Sequence, residues 1–378
     1  MCFVVKNLIA MKKVDNCLYK FGCMFHSQWQ TPATKLLKLS LLENHETTTV
    51  RSSQFFSKFV FSEKESALDL PACVSLDDEL LICGGSNSRN CYSYHLGKRE
   101  YKLVCSYPND ATLGGHTVVL CPPRSSTEDT FTLISFGVSS LKHKPLQMEY
   151  ESVWNERKST TASTRNEWTP IMDTTNEANG QSSINLQGCR GVVSGLHNDL
   201  LFVTRYPNKI DVLSMQTWTP LKRVQNNTVP LSITNTLEFH CFVSIGCNEF
   251  LLVSQNNCIS IRFNQQQNKF SYDFWPLSPF SLCWIYSYVL FQSQLLIFGG
   301  WNFVDDNILN VIFTLDISRK FWSRSLSHLP LLLYRNTAIA DSTLSSVHLI
   351  GGRNSDFDNQ ANHFVVHAKD LTGVILFF

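Results

Sequence analysis

Charge is scarce in this chain of 378 residues. Asp, Glu, Lys and Arg together make up 17% of it, and 32 basic against 31 acidic residues leave a net charge of +1. A field that weak gives no reason to expect nucleic acid or an anionic surface as a partner. Cofactor motifs are missing too. No Gly-x-x-x-x-Gly-Lys-Ser/Thr occurs, nor a strand-borne Gly-x-Gly-x-x-Gly, so nucleotide binding is unsupported. There is no Cys-x-x-Cys, and the 13 cysteines, an odd number, are scattered along the chain. Several (Cys83, Cys121, Cys241) lie inside apolar runs, where a thiol behaves as a small buried hydrophobe, so the cysteines read as reduced and no metal or other cofactor is expected. The most apolar stretch, 280–298, is interrupted by Ser281, Ser287, Gln292, Ser293 and Gln294 and runs into Gly299-Gly300, which excludes it as a membrane helix. The opening MCFVVKNLIAMKK has its apolar run broken by Lys6 and lacks a small-residue cleavage site; with no Arg before Arg51 it resembles neither a secretory signal nor a transit peptide, and a cytoplasmic location is expected.

What the chain has is aromatic and aliphatic surface: 43% hydrophobic residues, including 26 Phe, 11 Tyr and 8 Trp. That is enough for a large core without staples. Three apolar runs end in a glycine doublet: Leu80-Leu-Ile-Cys-Gly-Gly85, Leu295-Leu-Ile-Phe-Gly-Gly300 and Val347-His-Leu-Ile-Gly-Gly352. Phe131-Thr-Leu-Ile-Ser-Phe-Gly137, Leu200-Leu-Phe-Val-Thr-Arg-Tyr206 and Phe250-Leu-Leu-Val-Ser-Gln-Asn256 hold equivalent places with one or both glycines lost. The steps between their ends are 52, 69, 50, 44 and 52 residues, the long one reflecting an insertion. After each run come a polar loop, a second strand, and an aromatic residue opening a third. Tyr94 to Tyr101, Phe263 to Phe270 and Leu315 to Trp322 are each seven apart, and another strand precedes every glycine run.

A four-strand unit repeated every 45 to 50 residues or so predicts β-propeller blades. The pattern resembles the kelch repeat of the galactose oxidase/kelch superfamily, most fully from Phe298-Gly-Gly to Trp322. The expected fold is therefore all-β, a six-bladed kelch-type β-propeller with four antiparallel strands per blade. The blades fall at about 72–107, 113–172, 187–223, 237–278, 282–327 and 332–378 of a propeller domain spanning 51–378, with 1–50 as a poorly packed extension. Residues 55–61 are preferred over 374–378 as the strand that completes the sixth blade.

No catalytic constellation stands out. Gly191-Val-Val-Ser194-Gly195 lacks the glycine two positions before the serine that a nucleophile elbow requires. His363 and His367 share a strand face at a separation of roughly 13 Å, too far to share one ion. Some members of the superfamily are copper oxidases, whose sites need clustered His and Tyr with a nearby Cys; the eleven His here do not recur at corresponding positions. The resemblance therefore implies a non-catalytic scaffold binding a protein or peptide, with a kelch-superfamily enzyme such as a copper oxidase as the alternative. In peptide-binding kelch domains the contact face is built from loops after the doublet and turns leading into each first strand. Those positions here are Asn87, Arg89 and Asn90; Trp301 and Asn302; Arg353 and Asn354; and His116, Arg190, His240 and Arg335. The four arginines make an acidic peptide the candidate ligand.

Overall fold

The computed structural model describes residues 56–60, 67–122, 130–137, 145–155, 165–171, 185–232, 235–277, 283–371 and 375–377. The expected 1–50 extension lies outside them. The described residues belong to one compact unit, Ser52–Phe378, which is almost entirely strand.

Its main sheets follow one another along the chain, each built from consecutive antiparallel strands. The first joins Ala72–Leu76, Glu79–Gly85, Ser88–His95 and Glu100–Ser106; the second joins Thr117–Leu120, Thr130–Phe136, Leu146–Glu151 and Thr169–Pro170. The third has only Arg190–Ser194, Leu200–Arg205 and Lys209–Ser214, because Trp218 turns left-handed (φ 58°) and the chain meets Leu213 only through a single bridge at Pro220. The fourth sheet joins Cys241–Gly246, Glu249–Ser254, Asn257–Asn264 and Lys269–Phe274. In the fifth, Ser287–Phe291, Gln294–Phe298, Val311–Asp316 and Phe321–His328 are joined by Ile375–Phe377; in the sixth, Thr337–Ala340, Ser346–Ile350 and Asn362–His367 are completed by Ser57–Val60. Both segments weighed as the closing strand are thus strands, each on a different sheet. A small seventh sheet links Cys283–Trp284, Trp301–Asn302 and Asn307–Ile308.

The first strands neighbour one another in a cycle, from the first sheet through the second, third, fourth, fifth and sixth and back to the first. Burial follows. Second strands such as Glu79–Gly85 and Leu200–Arg205 are buried on both faces, hence their unbroken apolar runs, whereas the fourth strand Lys269–Phe274 is largely exposed. The seven-residue spacing has a direct cause: Tyr94 faces Tyr101, Phe263 faces Phe270 and Leu315 faces Trp322 across the hairpin between third and fourth strands. Tyr94–Tyr101 and Phe263–Phe270 bring ring centroids to 4.7 Å, the cross-strand contact that stabilises a sheet by about 0.2 to 1 kcal/mol per pair. The first glycine of each doublet is left-handed, with φ 61° at Gly84, 61° at Gly299 and 67° at Gly351. A Cβ at Gly351 would strike the Leu68 carbonyl and one at Gly299 the Leu333 carbonyl, so the doublets let a strand end pass against the segment leading into the next sheet.

A second repeat has no sequence signature. Two positions before each first strand the backbone turns left-handed: Leu70 (φ 53°), Gly115 (74°), Gly188 (65°), Phe239 (52°), Ile285 (51°) and Arg335 (60°). For a β-branched residue such as Ile285 this is a rare conformation. Hydrogen bonds link five of these lead-in turns, from Leu70 N to Arg335 O at 2.9 Å, Arg335 N to Ile285 O at 3.0 Å, and Phe239 N to Gly188 O at 2.9 Å.

Candidate functional site

The lead-in turns gather three large apolar side chains, Leu70, Phe239 and Ile285, into a buried cluster with Trp284 packed on it. The Phe239 ring lies over Gly115 and Gly188, where any Cβ would collide with Phe239 itself. Behind this plug lies a cavity of about 210 Å³ lined by the first strands of five sheets, with Arg190, His116, Tyr288 and Asn336 among its polar walls and Ala72, Val118, Ile285 and Ala338 among its apolar ones. A larger groove of about 420 Å³ lies away from it, against the outer strand of the fourth sheet; its charges, Arg262 with Glu249 and Lys320 with Asp273, already pair with one another.

Beside the plug, Asp69 is fully buried and holds two arginines. Arg335 donates to it through Nε at 2.6 Å and Nη2 at 2.8 Å, and Arg353 through Nη2 at 2.7 Å. Asn87 Oδ1 accepts from Asp69 N at 2.9 Å, and Ser86 N donates to Asp69 O at 2.6 Å. This clasp ties the first sheet to the sixth. Three expected face residues, Asn87, Arg335 and Arg353, are therefore brought together, but around an internal carboxylate; Arg335 is buried, which corrects its expected placement as a solvent-facing loop residue. Asp69 itself was missed. It precedes Leu70-Pro71 with no motif around it.

The remaining expected residues are dispersed. Arg89 Nη1 donates to Asn109 O at 2.5 Å, Asn90 bonds Ser106 and Tyr92, and Asn354 accepts from the amides of Asp356 and Asp358 in a local turn. Trp301 donates to Asp306 and Asn302 to Asp305, both within their own loop. His116 and His240 are buried, not turn residues open to solvent. His116 Nε2 donates to Cys83 O at 2.8 Å, and His240 Nε2 meets Thr204 Oγ1 at 2.6 Å. Burial, reinforced by the Arg190 charge and only partly offset by the bond to Cys83, pushes His116 down to about 4; burial and Arg190 also hold His240 well below the usual histidine range.

Another histidine pair sits between the sixth and first sheets. His348 Nδ1 faces His363 Nε2 at 2.7 Å, and Tyr101 Oη bonds His363 Nδ1. His363 is fully buried while His367 is exposed, so the two do not act together. Desolvation, then mutual repulsion, keeps His363 well below its ordinary pKa; burial dominates at His348, which lies at about 4. These rings and the Tyr101 hydroxyl bond one another rather than converging on a common point. Among the described residues no group of three or more His, Cys, Asp or Glu is placed to hold a metal ion.

No family model matches the chain, and no curated protein matches it. Among solved structures, the one named "Structure of YjhT" superposes with a TM-score of 0.60 at 11% identity, covering 84% of this chain and 99% of that one. The fold is propeller-like. At that identity the likeness carries architecture and no activity. No described helix is long and apolar enough to cross a membrane.

Proposed function

We propose that the chain is a six-bladed kelch-type propeller serving as a non-catalytic, cytoplasmic recognition module for a protein or peptide. The cyclic order of the first strands supports the blade count, and pairing of Ser57–Val60 with Asn362–His367 supports closure by joining the two ends of the domain. Among the described residues ten cysteines are free, seven of them buried, which suits a reducing compartment.

The observation that carries the recognition reading is a set of large apolar side chains left outside on three linked loops. Phe303 (45% exposed), Val304, Leu331, Leu332 and Phe357 occupy the loops after the glycine doublets of the fifth and sixth sheets and the segment leading into the sixth sheet. Gly300 N bonds Leu333 O at 3.0 Å, and Tyr334 meets Phe357 edge-on at 6.3 Å, so these loops form one continuous region. Exposed apolar groups grouped in this way mark interaction surfaces. Their rim is acidic, with Asp305, Asp306, Asp356 and Asp358 exposed, while Arg335 and Arg353 are turned inward onto Asp69. The partner chemistry that fits is an apolar segment carrying Lys or Arg, rather than the acidic peptide expected from the arginines alone.

Selection of a displayed peptide library on the full chain tests this. Enriched peptides should combine aliphatic or aromatic residues with basic ones and should be lost with Phe303→Ser/Phe357→Ser, which should change stability by less than about 0.5 kcal/mol. Enrichment of acidic peptides would overturn the charge assignment, and undiminished binding to the double variant would overturn the face.

A further inference from the structure

The cavity behind the plug presents an arginine that the fold does not neutralise. Elsewhere, sequestered guanidiniums meet carboxylates: Arg335 and Arg353 share Asp69, and Arg205 pairs with Asp211 at 2.5 Å. Arg190 opens the first strand of the third sheet and lines the cavity; its Nη1 donates to its neighbour's carbonyl, Cys189 O, at 2.8 Å. Among the described residues no carboxylate forms an ion pair with it, and no acidic side chain lines the cavity. Its other cavity neighbours are neutral: the His116 imidazole, held uncharged by burial, the Tyr286 and Tyr288 phenols, and the Ser287 and Thr337 hydroxyls. Partial removal from water without a counter-charge is costly for an ion, and a bound anion removes that cost.

Size and lining narrow the choice. A volume of about 210 Å³ is below the roughly 300 to 1,000 Å³ of drug-sized pockets, so the occupant is a small molecule. One planar cation against walls of Leu70, Pro71, Ala72, Val118, Ile285 and Ala338 fits one planar anion on a compact apolar body. We infer that this cavity is a binding site for a small organic monocarboxylate, with Arg190 pairing to the carboxylate and the apolar walls taking the rest of the ligand. The site is separate from the exposed loop face and does not depend on what that face binds.

Titration calorimetry of the full chain with benzoate, phenylacetate and lactate, against benzamide and inorganic phosphate, tests the assignment. At least one carboxylate should bind saturably at one per chain, benzamide should not, and phosphate should bind more weakly. Arg190→Gln should weaken the carboxylate by about tenfold or more. Val118→Phe, which fills the cavity and leaves the guanidinium in place, should do the same, so either variant decides the matter if the other does not fold. Absence of binding by all three acids, tighter binding of phosphate, or affinity unchanged in a folded variant would overturn the site.

Discussion

Arginine is used in two opposite ways within one domain. At the clasp, two guanidiniums converge on Asp69, whose side chain is wholly buried, and each has a carboxylate oxygen as its partner. In the cavity, Arg190 stands among phenols, hydroxyls and the neutral His116, with no carboxylate among the described lining residues. The residue type is the same, so the difference lies in what the fold brings up against it. A saturated pair joins the first and last sheets; an unsaturated cation leaves a place for a ligand.

The hardest test of that contrast is at the clasp. Asp69→Ala would leave Arg335 buried without a counter-charge, and breaking such a pair should cost about 3 to 5 kcal/mol, measured by urea unfolding at neutral pH. A loss below about 1 kcal/mol would mean that the clasp is not structural. A smaller effect separates the two regions by pH. His116 and His348 have folded pKa values of about 4, below the unfolded value near 6.5, so the neutral form is preferred in the folded state. Their contribution is fully present above pH 6.5 and is lost as pH falls toward 4, at about 1.4 kcal/mol per pH unit for each group. His116→Phe should flatten the acid limb of stability against pH, whereas Asp69→Ala should shift the curve down with its slope kept between pH 5 and 7. An unchanged slope in His116→Phe would show that the cavity histidine is not held neutral. The smallest effect is expected at Arg190: replacement by Gln orphans no carboxylate and should move unfolding free energy by about 0.5 kcal/mol or less. A loss comparable to that of Asp69→Ala would erase the contrast.

The parts of the fold legible in the sequence were those whose cause is local. Glycine doublets announce left-handed turns because no other residue passes so close to a neighbouring carbonyl, and the seven-residue aromatic spacing is the length of a hairpin whose ends face each other. The third sheet, which lacks both signals, has three strands where the repeat predicts four. The candidate site was less legible. Asn87, Arg335 and Arg353 were picked out as loop side chains, but their common partner Asp69 lies about 266 and 284 residues before the two arginines in the chain, and no spacing rule connects them. Arg190 is legible by its position at a lead-in turn, but nothing in the sequence says that the residues around it are neutral.

The sequence alone therefore determined the repeat, the strand content and the places where the backbone must turn, since periodicity and glycine act over a few residues. The left-handed lead-in turns at Leu70, Gly115, Gly188, Phe239, Ile285 and Arg335 share no side-chain chemistry, and hydrogen bonds between neighbouring turns hold Leu70 to Arg335, Arg335 to Ile285 and Phe239 to Gly188. Tertiary structure likewise decided which arginine is paired with a carboxylate and which lines the cavity, because charge pairing depends on distance in space and the partners are far apart in the chain.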